Sequence, residues 1–252
     1  MSKGRLYLVP APLDFGCDTQ APLQDVMPLG TLQVAARLSC WICENSKSTR
    51  AYLKRINALQ PLSNAVQALQ IQELPREVHK KGDHSGNFDA RPLLAAAMDG
   101  SDIGLVSEAG MPAIADPGAS VVRAAQDLGL KVVPLTGPMS LMLALASSGF
   151  NGQNFAFSGY LPQDPTGRVQ RIRELESLAL KTGQTQIFIE TPYRNAALLQ
   201  ALLQTLQGNT RLALSCGLTL GKAWNYSAQA SSWKKNKPIA PLDLPTVFCI
   251  GR

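Results

Sequence analysis

The chain has 252 residues, of which 45% are hydrophobic and 17% are charged, and its formal net charge is +6 at pH 7. This composition is typical of a globular protein with one large domain or two ordinary ones, and it excludes a disordered or collagen-like chain. No run of eighteen apolar residues occurs, and the first five residues lead into a strand pattern without the apolar stretch of a signal peptide. We therefore expect a cytoplasmic protein without a membrane segment.

The excess of basic residues suits an anionic partner such as RNA, because neutralising phosphates provides most of the affinity that does not depend on base sequence. The basic residues form several short groups, and any one group can equally be ordinary solvated surface. These groups are Lys47, Arg50, Lys54 and Arg55; Arg76, Lys80 and Lys81; Arg168, Arg171 and Arg173; and Lys234, Lys235 and Lys237. Charge alone leaves both interpretations open.

The five cysteines and two histidines show no metal or disulfide pattern. Cys40 and Cys43 have the spacing of a redox pair, but on a strand residues three apart point to opposite faces and lie roughly 10 Å apart. We predict that they are buried structural thiols. His79 and His84 lie in a polar segment without a third ligand, so no metal site is predicted.

The first half of the chain alternates strand patterns with helix patterns. Short apolar runs predict strands at Arg5–Val9, Arg37–Cys43, Ile103–Val106 and Lys131–Leu135. Helical spacing predicts helices at Ser46–Asn57 with Ser/Thr caps, at Leu62–Leu74, at Arg91–Met98, and from Asp116, as the cap, to Gly129. The polar segment Pro75–Phe88 is predicted as a loop. Strands and helices in this alternation predict βαβ units and a mostly parallel sheet.

The second half begins in the same way and changes near its end. Helices are predicted at Met139–Ser147, Arg168–Leu180 and Asn195–Leu206, and strands at Phe155–Leu161 and Gln186–Glu190. Three strand patterns then follow without an intervening helix, which predicts a mixed or antiparallel ending, at Arg211–Leu220, Ala223–Gln229 and Thr246–Ile250. The predicted fold is α/β, with two α/β domains at residues 1–137 and 138–252, a mostly parallel N-terminal sheet and a mixed C-terminal sheet.

Three loops follow predicted strands, at Pro10 to Asp14, Ser107 to Gly118 and Thr136 to Ser140. In open α/β sheets, ligands collect at the carboxyl ends of strands, where loops expose backbone amides. None of the three carries a dinucleotide or P-loop signature. Gly110 and Gly137 fit positions where the backbone approaches a ligand closely or takes a positive φ, and tight turns explain them equally well.

The segment from Ser107 to Gly118, SEAGMPAIADPG, resembles the SDAGTPxISDPG segment of the tetrapyrrole methylase superfamily, in its small-subunit ribosomal RNA (cytidine-2'-O)-methyltransferase branch. Five further segments resemble motifs of that branch in the same order, so the resemblance covers nearly the whole chain. They are Leu6–Pro12, Cys43–Arg50, Val133–Pro138, Phe157–Pro162 and Ile189–Arg194. The run from Asn151 to Phe157 resembles a divergent subgroup of short bacterial members.

The resemblance implies an enzyme that uses S-adenosylmethionine, with the cofactor in a cleft between two α/β domains, and usually a homodimer. It also implies a set of cofactor-binding positions. These are Pro10 on the first loop; Ser107, Glu108, Ala109, Gly110 and Ile114 on the second; Gly137, Pro138 and Ser140 on the third; and Thr191 from the second domain.

Methyl transfer from a sulfonium is an in-line displacement, so most of its acceleration can come from holding donor and acceptor in place. A ribose hydroxyl would still gain from a general base, and Glu44 and Glu190 are the carboxylates within the matching motifs. Each can instead be a structural carboxylate that pairs with a nearby arginine. Arg50 and Arg194, in the same motifs, can hold an RNA phosphate or pair with those carboxylates.

The chain departs from the family motifs at Asn45 to Lys47, at Leu13 to Gly16 and at Tyr193. We expect cofactor binding to survive these changes and acceptor recognition to be altered. Three functions stay open: methylation of a ribose hydroxyl in ribosomal RNA of the small subunit, methylation of a tetrapyrrole or another small molecule, and cofactor binding without catalysis in an RNA or ribosome partner.

Overall fold

The computed structural model describes residues 2–75, 77–78 and 88–252. By its internal contacts the chain divides into two compact units. The first runs to Pro138 without Cys17–Thr19, and the second contains those three residues and Met139–Arg252. The assignment of folding domains at 1–137 and 138–252 stays a prediction.

The first unit contains a five-stranded sheet in the order β3-β2-β4-β1-β5. Its strands are β1 Arg5–Leu8, β2 Cys40–Cys43, β3 Gln70–Glu73, β4 Ile103–Val106 and β5 Lys131–Pro134. Every neighbouring pair is parallel, which confirms the predicted parallel sheet. All residues of β2 and β4 are buried, as expected for central strands covered on both faces.

The helices of this unit whose bounds fall within the described residues are α1 Leu23–Val26, α2 Leu29–Arg37, α3 Ser46–Asn57, α4 Ala95–Met98 and α5 Ala119–Asp127. A 3₁₀ turn at Arg91–Leu94 precedes α4, and another lies at Val66–Ala68. Helix α3 has the predicted bounds and buries Tyr52, Leu53 and Ile56. Its cap is Asn45 rather than a Ser or Thr, because the Asn45 Oδ1 accepts hydrogen bonds from the Lys47 and Ser48 backbone N–H groups at 2.9 and 3.2 Å.

Two predictions for the first unit were wrong. The helix predicted at Leu62–Leu74 is the short 3₁₀ turn followed by β3, an edge strand in which only Ile71 is even partly buried, so its polar sequence carries no strand pattern. The helix predicted to open at Asp116 begins at Ala119, and its cap is Gly118 with φ +136°. Most of the predicted loop at Pro75–Phe88, with both histidines, lies outside the described residues.

The second unit contains a mixed sheet in the order β6-β7-β10-β8-β9, and its mixed character confirms the prediction. Strands β6 and β7 are parallel, whereas the other neighbours are antiparallel. The strands are β6 Phe155–Tyr160, β7 Thr185–Glu190, β8 Arg211–Cys216, β9 Trp224–Gln229 and β10 Thr246–Gly251.

Four helices belong to the second unit: α6 Ser140–Ser148, α7 Pro165–Thr182, α8 Pro192–Thr205 and α9 Ala230–Asn236. Helix α9 lies between β9 and β10, where no helix was predicted. Its single fully buried large side chain, Trp233, donates its indole N–H to the Leu212 carbonyl at 2.8 Å. A helix this short gives too few turns for an apolar period to be recognised.

All five cysteines are free thiols, and Cys40 and Cys43 are buried, as predicted. Burial raises the pKa of the Cys43 thiol, which disfavours its reactive thiolate. Among the described residues, no helix is both long and apolar enough to cross a membrane.

Candidate functional site

Three loops meet at the carboxyl edge of the first sheet, because β4, β1 and β5 are adjacent parallel strands. We call them the β1 loop (residues 10–16), the β4 loop (residues 107–118) and the β5 loop (residues 135–138). Ala11 and Gly110 exchange backbone hydrogen bonds of 2.9 and 3.0 Å, which join the first two loops. A Cβ on Gly137 would lie 2.4 Å from the Cβ of Pro10, so the third loop packs against the first only because residue 137 is glycine.

The β4 loop has an unusual backbone. Gly110 has φ +71°, and Ala113 and Ala115 have φ +66° and +64°, a region that costs an alanine roughly 1–2 kcal/mol. Among the residues that the structure describes, the buried Ser107 Oγ has no hydrogen-bond partner. Strain and an unsatisfied hydroxyl in one loop are typical of a ligand site, where bound atoms supply the missing interactions.

Three carboxyl groups lie beside this loop. The Glu44 Oε1 accepts from the Glu108 N–H at 3.4 Å, and the Ser48 hydroxyl donates to Glu108 Oε1 at 3.1 Å. Burial, and then the neighbouring charges of Glu44 and Glu108, raise the pKa of Asp116 to about 7. The predicted base candidate Glu44 is thus in contact with the backbone of the β4 loop.

The remaining predicted positions of the first unit are on or beside these loops. Ala109 is half-buried and Ile114 is 41% exposed. Pro138 is buried, and a Cβ on Gly110 would lie 3.8 Å from the Pro138 carbonyl oxygen. Arg50 is half-buried on α3, and among the described residues it forms no ion pair.

In the second unit, Ser140 is the first residue of α6, and the other predicted residues lie where β7 ends and α8 begins. The Glu190 Oε1 accepts from the Thr191 N–H at 2.7 Å and from the Arg194 Nε and Nη2 at 2.9 and 2.6 Å. The Arg194 guanidinium also lies 5.4 Å from the ring centroid of Tyr193, which is 80% exposed. Of the two interpretations left open for Arg194, the structure contains the carboxylate pair.

Sequence reasoning missed three residues here. Asp14, only 4% exposed, forms a bidentate ion pair with Arg55 in which both N–O distances are 3.0 Å. Asp14 was visible only as a departure from a family motif, and Arg55 only as one member of a basic group. Asp116 was assigned to a helix cap, so its half-buried position near two other carboxylates was not foreseen.

The described residues contain no group of three or more His, Cys, Asp or Glu side chains that could hold a metal ion.

Comparison with known proteins adds a family and a set of relatives. The family profile of Tetrapyrrole (Corrin/Porphyrin) Methylases matches residues 31–220. The Ribosomal RNA small subunit methyltransferase I of Vibrio cholerae serotype O1 is 32% identical over 85% of this chain and 65% of that protein. The protein of the same name from Mesorhizobium japonicum is 30% identical over 85% of this chain and 63% of that protein. The chain thus spans just under two thirds of the length of these curated relatives.

A solved structure shares the fold. Uroporphyrin-III C-methyl transferase from Thermus thermophilus, complexed with S-adenosyl homocysteine, matches with a TM-score of 0.55 over 99% of this chain and 98% of that chain. The two sequences are 18% identical, so this likeness concerns the fold alone.

Proposed function

Because the chain belongs to the tetrapyrrole methylase family, we propose that it is an S-adenosylmethionine-dependent methyltransferase that methylates a ribose hydroxyl of small-subunit ribosomal RNA. The observation that carries the proposal is the joining of the β1, β4 and β5 loops through Gly110 and Gly137 at one sheet edge. The names of the curated relatives support the acceptor, and the basic net charge suits it.

The residues present fit the cofactor. Ser107 offers a buried hydroxyl that has no partner among the described residues, and the β4 loop holds two alanines in a left-handed backbone. The full set that would hold the cofactor is Pro10, Ser107, Glu108, Ala109, Gly110, Ile114, Gly137, Pro138, Ser140 and Thr191. S-adenosylmethionine would supply, when bound, a methyl group on a sulfonium: a hydroxyl oxygen would bond to the methyl carbon in line as the carbon–sulfur bond breaks, the neutral thioether would leave, and the hydroxyl proton would pass to water.

We assign Glu190 and Glu44 as positioning residues. Glu190 uses one carboxylate oxygen to fix both the Thr191 backbone and the Arg194 guanidinium. Glu44 contacts the N–H of Glu108 and so supports the β4 loop. In this mechanism the chain contributes mainly by orienting the acceptor and excluding water.

The test is transfer of labelled methyl from S-adenosylmethionine to small ribosomal subunits from a strain that lacks this gene. Label in a ribose of the RNA supports the proposal. No label, from protein that binds S-adenosylhomocysteine, contradicts it. Label in a tetrapyrrole would establish the small-molecule alternative, and a raised melting temperature without any methylated acceptor would indicate binding without catalysis.

We also propose that the protein is a cytoplasmic homodimer, as the family resemblance implies. Sedimentation equilibrium of the purified chain tests the assembly, and a mass of one chain over the micromolar range would contradict it.

A further inference from the structure

Helix α3 carries an uncompensated basic stripe. Its twelve residues include four basic and no acidic side chains. Lys47, Arg50 and Lys54 recur at helical spacing on the side opposite the buried Tyr52, Leu53 and Ile56, and Lys47 and Lys54 are exposed. None of the three forms an ion pair within residues 2–75, 77–78 and 88–252. We call these three residues the α3 stripe.

The fourth basic residue, Arg55, serves a different purpose. Its guanidinium holds the Asp14 carboxylate and also donates to the Ala21 carbonyl at 2.7 Å, while the Ala21 N–H donates to Asp14 at 3.0 Å. A buried pair of this kind gains little net stability but fixes one conformation of the chain. The β1 loop is therefore clamped to α3.

The clamped loop presents an aromatic side chain. Phe15 directly follows the buried Asp14 and is 47% exposed. Gly16 follows with φ +73°, so the chain turns directly after Phe15, and a Cβ on Gly16 would meet nothing within 4 Å. Asp14, which precedes Phe15, binds Arg55, which follows Lys54, so the loop that carries the ring is attached to the helix that carries the stripe. Proteins bind single-stranded nucleic acid with this combination, an aromatic ring that stacks on a base and basic side chains that pair with phosphates.

This surface is connected to the candidate cofactor site. The Ser48 hydroxyl of α3 donates to Glu108 in the β4 loop, the Tyr52 hydroxyl donates to the Pro10 carbonyl at 2.9 Å, and Ala11 is bonded to Gly110. An acceptor strand held by α3 and the β1 loop would thus lie on the same sheet edge as the loops that hold the methyl donor.

We propose that the α3 stripe and Phe15 form the surface that binds the RNA acceptor, with the stripe contacting phosphates and Phe15 stacking on an unpaired base. The inference rests on the proposed function and specifies which surface recognises the substrate. The β1 loop is one of the segments that depart from the family motifs, so this surface gives the chain its own acceptor preference.

The first experiment measures binding of a short single-stranded RNA by fluorescence anisotropy at several salt concentrations. The variant Lys47→Gln/Arg50→Gln/Lys54→Gln should bind at least about 10-fold more weakly. The slope of its log association constant against log salt concentration should be less steep by about 2, the value for three lost phosphate contacts on a single strand. The matched control Lys222→Gln/Lys234→Gln/Lys235→Gln removes the same charge from exposed lysines of the second unit and should bind like the wild type.

The second experiment separates stacking from apolar contact. Phe15→Leu should weaken RNA binding roughly 10-fold, whereas Phe15→Tyr, which keeps the ring, should retain it. Both variants should bind S-adenosylhomocysteine like the wild type. A loss of dimer in Phe15→Leu, without loss of RNA binding by the protein, would instead identify a protein contact and overturn the inference.

Failure of this inference differs from failure of the proposed function. If the wild-type protein methylates ribosomal RNA but the α3 variant and the control variant lose RNA binding equally, or neither loses it, only the proposed RNA-binding surface is overturned. A wild-type protein that neither binds nor methylates RNA, while it binds S-adenosylhomocysteine, overturns the acceptor and the surface together.

Discussion

The polar groups of the β4 loop in the first unit are poorly satisfied, whereas those of segment 190–194 in the second unit are well satisfied. In the β4 loop, the Ser107 hydroxyl lacks a partner among the described residues, two alanines take a left-handed backbone, and the half-buried Asp116 carboxyl lies near like charges. In segment 190–194, the Glu190 carboxylate collects several donors and pairs with Arg194.

The difference separates a binding loop from a support. An unsatisfied buried group costs about 1–3 kcal/mol, and a chain retains such costs where a ligand offsets them or function requires them. A satisfied ion pair needs no ligand to hold its shape. We therefore propose that most cofactor contacts lie on the β4 loop and its neighbours, and that segment 190–194 acts mainly as a fixed support.

The largest expected effect is that of Gly137→Ala, which tests whether the joined β1 and β5 loops bind the cofactor. The new Cβ would lie 2.4 Å from Pro10, so the β1 and β5 loops must move apart. We expect binding of S-adenosylhomocysteine, measured by isothermal titration calorimetry, to weaken at least about 100-fold, because ångström displacements cost factors of this size. Gly30→Ala in α2 is the control, since a Cβ there meets nothing within 4 Å. Equal affinity in both variants would remove the loop junction from the site.

Glu190→Gln tests the support side. The Arg194 guanidinium would lose its charged partner, the Glu190 side chain, which is only 3% exposed. Because breaking a buried ion pair leaves the other charge unpaired, we expect the free energy of unfolding to fall by about 3 kcal/mol. Glu190→Gln/Arg194→Gln should recover part of that loss in urea denaturation. The pH profile of kcat/KM should keep its shape in the single variant, whereas disappearance of its acidic limb would show that Glu190 is a general base.

Asp116→Asn gives a pH-dependent effect. Folding raises the pKa of Asp116 from 3.8 to about 7, so the folded protein holds this proton more tightly than the unfolded chain. The resulting stabilisation is complete below the unfolded value and is lost as the pH rises through about 7. The variant cannot ionise, and it should gain stability relative to the wild type between pH 4 and pH 8, by at least about 1 kcal/mol at pH 8. A constant difference across that range would show that the carboxyl is not desolvated.

The smallest expected effect is that of Asn45→Ala. This change removes the side chain that caps α3, and it should lower the free energy of unfolding by about 1 kcal/mol. Asn45 lies outside the three loops, so affinity for S-adenosylhomocysteine should not change. A weakened affinity for S-adenosylhomocysteine without a loss of stability would mean that Asn45 belongs to the cofactor site.

The sequence predicted the family, the α/β class and both sheet types, because central strands such as β2 and β4 are continuous apolar runs and the motifs keep their order. It failed at β3, where an edge strand needs few apolar residues, and at Asp116, which lies in an irregular segment with positive φ at Ala113, Ala115 and Gly118 rather than at a helix start. The Asp14–Arg55 pair was beyond reach because its members are 41 residues apart and neither belongs to a matching motif.

The most direct test is a crystal structure of the protein with S-adenosylhomocysteine. The ligand should lie against the backbone of residues 107–110 and Gly137, and the Ser107 hydroxyl should gain a hydrogen-bond partner. A ligand bound away from the β4 loop, or a loop in which Ser107 stays unpartnered beside the bound ligand, would contradict the assignment of the cofactor site.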